Sequence, residues 1–248
     1  NMAGISISQI GAITKDTSFR GLPLEFVLRR LLEECENLED AVALMHSVKH
    51  TVGYNYVVTD GDAPGARAFE TTATHIAEFG PNDPNETVEY AVRIEDAVFR
   101  SDEAMDPVIR GLQKCANAPG LPYGSNSYDH RYMGIATRVK EHYGAIDQSV
   151  ALEILKATAM ENANLHAVLA NVTTRELWVA HAAQGQNASL QPFVHFDLKR
   201  LFLRPEDRPA VTEGAAAPRA EDAPEPAPEG EAPGADVPAA AAPEEETP

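Results

Sequence analysis

Cysteine, basic charge and long apolar runs are all scarce in this sequence. Only Cys35 and Cys115 occur among the 248 residues, too few for a disulfide framework and wrongly spaced for a paired-cysteine zinc site. No apolar run approaches the ~18 residues of a membrane span. Lysine and arginine number 20 against 38 aspartates and glutamates, a net charge of −18. So acidic a chain is excluded from non-specific nucleic-acid binding, which depends on basic groups neutralising phosphates. A Gly-rich phosphate loop and a His-Glu-x-x-His pair are missing too. No cofactor and no metal is therefore expected, and the sequence has no internal repeat.

The charge is unevenly spread. Residues 205–248 hold twelve aspartates and glutamates against Arg208 and Arg219, about ten of the eighteen net negative charges. Val211 and Val237 are the only branched aliphatics there. Pro, Ala, Glu and Gly bury too little apolar surface to offset an ordering cost of about 1–2 kcal/mol per residue. The composition predicts one folded domain over residues 1–204 and a disordered acidic tail over 205–248. Deleting the tail is expected to leave the thermal midpoint unchanged; a drop of several degrees in a melting scan would show that it packs on the domain.

Within residues 1–204, hydrophobic period marks the elements. Ile5 and Ile7 alternate with polar residues, a strand with one apolar face. Leu24, Val27, Leu28, Leu31, Leu32 and Cys35 follow one helical face behind Pro23. Asn37 is placed to cap a second helix over residues 38–48, burying Ala41, Val42, Leu44, Met45 and Val48. Residues 53–60, 67–71 and 74–79 read as an antiparallel meander. A short strand is expected at 97–100, helices from Asp106–Pro107, at 128–141 and at 147–158, a hairpin at 165–181, and a last strand and short helix to 202. Helices and antiparallel strands are segregated, which predicts an α+β fold rather than a doubly wound one.

Chemistry-bearing residues are few. Cys35 and Cys115 both fall on apolar helix faces, where a thiol is held protonated and inert, so an enzyme built on either is disfavoured. The eight histidines are scattered; those at 166, 181 and 195 lie in or beside the last strands, a common setting for structural, hydrogen-bonded imidazoles. Asn126-Ser-Tyr-Asp-His-Arg-Tyr132 is the densest polar string. It reads equally as a helix capped by Ser127 with solvated neighbours, or as an arginine held at the rim of a pocket.

Several strings together resemble the isopenicillin N acyltransferase-like family of N-terminal-nucleophile hydrolases, distant relatives of choloylglycine hydrolases. Asn1-Met-Ala-Gly-Ile-Ser-Ile7 is similar to the family's Asn-x-x-Gly-Leu/Ile-x-Val strand. The run from Gly21 to Cys35, with Leu38 to Met45, is similar to its helix pair. Gly53 to Asp60 with Ala68-Phe-Glu70 resembles its central strands, and Ala97-Val-Phe-Arg-Ser-Asp102 a strand ending in a catalytic asparagine. Ser127-Tyr-Asp-His-Arg-Tyr132 resembles its Ser-x-x-x-Arg-Tyr/Phe element, and residues 164–198 its closing hairpin and strand.

The resemblance covers residues 1–202 in order. It implies a four-layer αββα sandwich and a self-processed cysteine nucleophile whose α-amino group is the general base. It also implies a small amide, N-acyl or acyl-thioester substrate. That cysteine and the segment following it are expected upstream of Asn1, so the sequence is read as the C-terminal, larger part of such a protein, with the missing N-terminal segment as its partner. Alone it is expected to be inactive. Asp102 and Arg131 are the expected site residues. Asp102 stands where relatives have an amide, and an ionised carboxylate cannot donate to an oxyanion. The two are expected to pair across one cavity, with the pairing lowering the pKa of Asp102. The competing reading is a non-catalytic member that keeps the fold as a binding module.

Overall fold

Antiparallel pairing joins the first four strands in chain order. The computed structural model describes residues 1–113, 127–160, 164–183, 185–203 and 207, without the side chains of 127–130. The chain divides into two units, Asn1–Glu206 and Asp207–Pro248. The expected tail lies outside the described residues save Asp207, and Cys115 also lies outside them.

Strands β1 (Ile5–Gly11), β2 (Tyr54–Asp60), β3 (Gly65–Thr71) and β4 (Ile76–Phe79) form a sheet in the order β1-β2-β3-β4, all neighbours antiparallel. Helices α1 (Leu24–Glu34) and α2 (Leu38–Ser47) intervene between β1 and β2 and lie on one face of this sheet, α1 on β1 and α2 on β2 and β3. Strand alternation turns Ile5, Tyr56, Val58 and Phe69 toward the helices, where they meet Val27, Leu31, Ala41, Leu44 and Met45. Burying each large side chain contributes about 1.5–3 kcal/mol, so this layer is the main core. Asn37 caps α2, its side chain accepting from the Asp40 amide at 2.9 Å. Asp60, at the end of β2, accepts from the amides of Leu38, Asp62 and Ala63 at 2.9–3.1 Å. One carboxylate thus fixes both the β2–β3 turn and the start of α2.

Residues 80–106 cross the other face of the sheet without forming a strand, and lead into α3 (Pro107–Leu112), capped by Asp106. Helices α4 (Ser127–Glu141) and α5 (Gln148–Thr158) pack on each other, with α5 against β5 (His166–Asn171). Asp147 caps α5, accepting from the Val150 amide at 2.9 Å. Strands β5, β6 (Glu176–His181) and β7 (Val194–Asp197) make a second antiparallel sheet in that order, and β7 runs into α6 (Leu198–Leu201). The described residues therefore form an α+β fold with two antiparallel sheets, as the element order predicts. None of their helices is long and apolar enough to cross a membrane.

Two local expectations fail. Leu32 is 40% exposed instead of buried. It lines a small cavity of about 180 Å³ with Ile7, Leu177 and Leu198. Residues 97–100 are not a strand; an isolated bridge between Ile94 and Ala97 is all the pairing there. Their apolar side chains, Val98 and Phe99, pack down onto the sheet face, so the segment lies across the sheet rather than beside it.

Candidate functional site

Polar side chains near one end of the β2–β3 pair organise the segment that crosses the sheet. Asn55 and Glu70 are direct cross-strand partners, both pointing away from the α1–α2 layer and both fully buried. Glu70 accepts from the amides of Met105 and Asp106 at 2.8 and 2.9 Å. It also meets Arg100 Nε at 2.8 Å, while Arg100 Nη2 reaches Glu86 at 2.7 Å and the guanidinium lies 4.8 Å from the Phe79 ring. Burial pushes the carboxyls of both Glu70 and Glu86 up, and the Arg100 charge opposes that rise. The permanently charged guanidinium thus forms close ion pairs with two buried carboxylates at once.

Asn55 then holds the next stretch of backbone. Its Nδ2 donates to the carbonyls of Ser101 and Glu103 at 2.8 and 3.1 Å. Gln113, at the end of α3, donates from Nε2 to the Asp102 carbonyl at 2.7 Å. Three amide bonds therefore pin the main chain at Asp102 and at both of its neighbours. A backbone that lacks a strand partner has its carbonyls satisfied by side chains instead.

Arg131 comes from α4. The adjacent Tyr132 is buried against Phe99 and Tyr90, with ring centroids 5.0 and 6.0 Å away. Its hydroxyl accepts from the Val92 amide at 3.0 Å. With the helix anchored there, Arg131 Nη2 donates to Asp102 Oδ2, and the two side chains are 14% and 16% exposed. The two expected site residues, 29 positions apart, are thus in direct contact. Arg131 lines a cavity of about 570 Å³ together with Gln9, Ile10, Ile135, Leu155, Met160 and His166, among others. Asp102 is not part of that lining; it holds the guanidinium that is.

The pKa of Asp102 moves opposite to expectation. Burial raises it, and the neighbouring Arg131 charge lowers it by less. Desolvation of a carboxyl at a largely covered site outweighs one ion pair here. Oδ2 nevertheless accepts from the guanidinium, so Asp102 acts as an acceptor and orienting group. Cys35 is buried at 4% exposure between helices and sheet, and burial raises its thiol pKa. It lies on the opposite face of the first sheet from Asn55 and the Asp102 segment. Ser127 opens α4, but its side chain is outside the described set, so its expected capping role is too.

Asn55, Glu70, Glu86, Arg100 and Gln113 were not singled out from the sequence. The signal available was a polar residue inside each of two strongly apolar strand patterns, Asn55 between two tyrosines and Glu70 after Ala-Phe. Their meeting across β2 and β3 depends on register, which periodicity does not supply.

An α+β domain with an Arg–carboxylate pair at a cavity is the class of protein defined so far. Residues 1–82 match the family model described as acyl-coenzyme A:6-aminopenicillanic acid acyl-transferase. The match supports an isopenicillin N acyltransferase-like family, and with it acyl-transfer or amide-bond chemistry in general. It spans β1 to β4, α1 and α2, and includes Asn55 and Glu70; Asp102 and Arg131 lie beyond it. No curated protein matches the sequence.

Proposed function

We propose that this chain forms the larger part of an amide-bond hydrolase or acyltransferase of the N-terminal-nucleophile class, with its two sheets stacked as the inner layers of an αββα sandwich. The substrate is a small N-acyl, peptide-like or acyl-thioester molecule. The observation that carries the reading is the Arg131–Asp102 pair at the 570 Å³ cavity, taken with the family match. Asp102 fixes the guanidinium in one orientation, and Arg131 presents the remaining N–H groups to a carboxylate or to a carbonyl oxygen on which negative charge develops. On this reading the attacking thiolate is a cysteine outside this sequence: Cys35 is buried on the far side of the sheet with a raised pKa, and Cys115, outside the described residues, falls on an apolar helix face by its spacing from Leu112. One feature favours the alternative of a non-catalytic binding module: the Asp102 carboxylate neutralises part of the charge that Arg131 brings to the cavity.

This chain by itself is expected to show no turnover of N-acyl amides or acyl thioesters. Robust turnover abolished by Cys35→Ala or Cys115→Ala would overturn the assignment of the nucleophile. In the polypeptide that includes the upstream cysteine, Arg131→Lys keeps the charge but loses the fork. It is expected to lower turnover about tenfold or more, with the thermal midpoint shifted by less than about 3 °C. Unchanged turnover in that variant would remove Arg131 from the site. A complete polypeptide that binds N-acyl ligands but turns none over would establish the binding module.

A further inference from the structure

We propose that His166 and His181 form a two-histidine site for a divalent transition metal at the rim of the Arg131 cavity. They are direct partners across β5 and β6. The Ala182 amide donates to the Leu165 carbonyl at 2.9 Å, which makes Leu165 and Ala182 a hydrogen-bonded pair. Because such pairs alternate along an antiparallel ladder, His166 and His181 occupy the non-hydrogen-bonded type, whose side chains stand closest, with Cα atoms about 4.5 Å apart. The imidazole centroids are 4.8 Å apart and the rings nearly perpendicular, at 85°. Both residues are exposed, so an ion reaches them from solvent, and either ring can turn about its side-chain bonds. The next pair along the ladder, Ala167 and Ala180, is buried on the opposite face and holds the two strands in place beneath them.

Two imidazole rings this close can turn to share one ion at the usual metal–nitrogen distance of about 2.0–2.1 Å. Imidazole suits copper, nickel and zinc, whereas magnesium and calcium require oxygen donors. Among the described residues no set of three His, Cys, Asp or Glu side chains is placed to hold a metal. The ion would therefore keep several positions open to water or to a ligand. His166 also lines the cavity that Arg131 lines, so those open positions lie at its rim. The pair contrasts with His195, which is engaged by Glu176 at 3.0 Å and stacked on Trp178. The inference stands whether or not Arg131 acts on a substrate.

The test is isothermal titration of the untagged chain with Cu²⁺, Ni²⁺, Zn²⁺ and Mg²⁺, alongside His166→Ala, His181→Ala and His195→Ala. The expected result is one ion per chain, copper binding tightest, no magnesium binding, and affinity reduced at least tenfold by either of the first two substitutions. His195→Ala should leave that binding unchanged. If circular dichroism shows an alanine variant misfolded, His166→Gln and His181→Gln take its place, since glutamine keeps the volume and is a poor ligand for these ions. Absence of one-site transition-metal binding in the parent chain, or binding that survives both substitutions, overturns the proposal.

Discussion

Arg100→Met should destabilise the domain by about 3–5 kcal/mol, because it leaves buried carboxylates without their cation. The Arg100 side chain is 2% exposed, between Glu70 at 0% and Glu86 at 6%. Methionine nearly replaces the aliphatic stem, so the loss is electrostatic rather than a cavity effect. Glu70 keeps its bonds from the Met105 and Asp106 amides, but those only partly compensate a buried charge. Urea denaturation measures the change. A double variant, Arg100→Met with Glu70→Gln, should recover part of the loss, since the uncompensated charge on β3 is then gone. A single-variant loss below about 1 kcal/mol would show that the carboxyls simply take up protons without consequence for the fold.

Asn55→Leu is expected to cost about 2–6 kcal/mol, at about 1–3 kcal/mol for each of two buried carbonyls left without a donor. Leucine has the branched skeleton of asparagine but bulkier methyl ends, so it leaves no room for a replacing water. The affected carbonyls, of Ser101 and Glu103, flank Asp102. The same variant should therefore loosen the Asp102–Arg131 contact, which hydrogen exchange at the amides of 101–104 would report. Gln113→Ala removes a partly buried bond to the Asp102 carbonyl and should cost only about 1 kcal/mol. A change within 0.5 kcal/mol for Asn55→Leu, with unaltered exchange, would mean that other donors hold this segment.

The composition and periodicity of the sequence determined most of the architecture. Helix α2 was legible because Asn37 is a capping residue placed before an apolar face, and both cap and face are local properties. The β2–β4 meander and the β5–β6 hairpin were legible because strand alternation and turn residues fall within short windows. The site residues Asp102 and Arg131 came from resemblance, not from periodicity. Tertiary structure alone decided the rest. A β-rich string such as Ala-Val-Phe-Arg looks like a strand in isolation, yet residues 97–100 join neither sheet and instead lie across a sheet face already lined by Asn55 and Glu70. The direction of the Asp102 pKa shift was decided the same way. A sequence can name a charged partner, but how much water each carboxyl loses depends on what the fold packs over it, and at Asp102 that desolvation exceeds the attraction of Arg131.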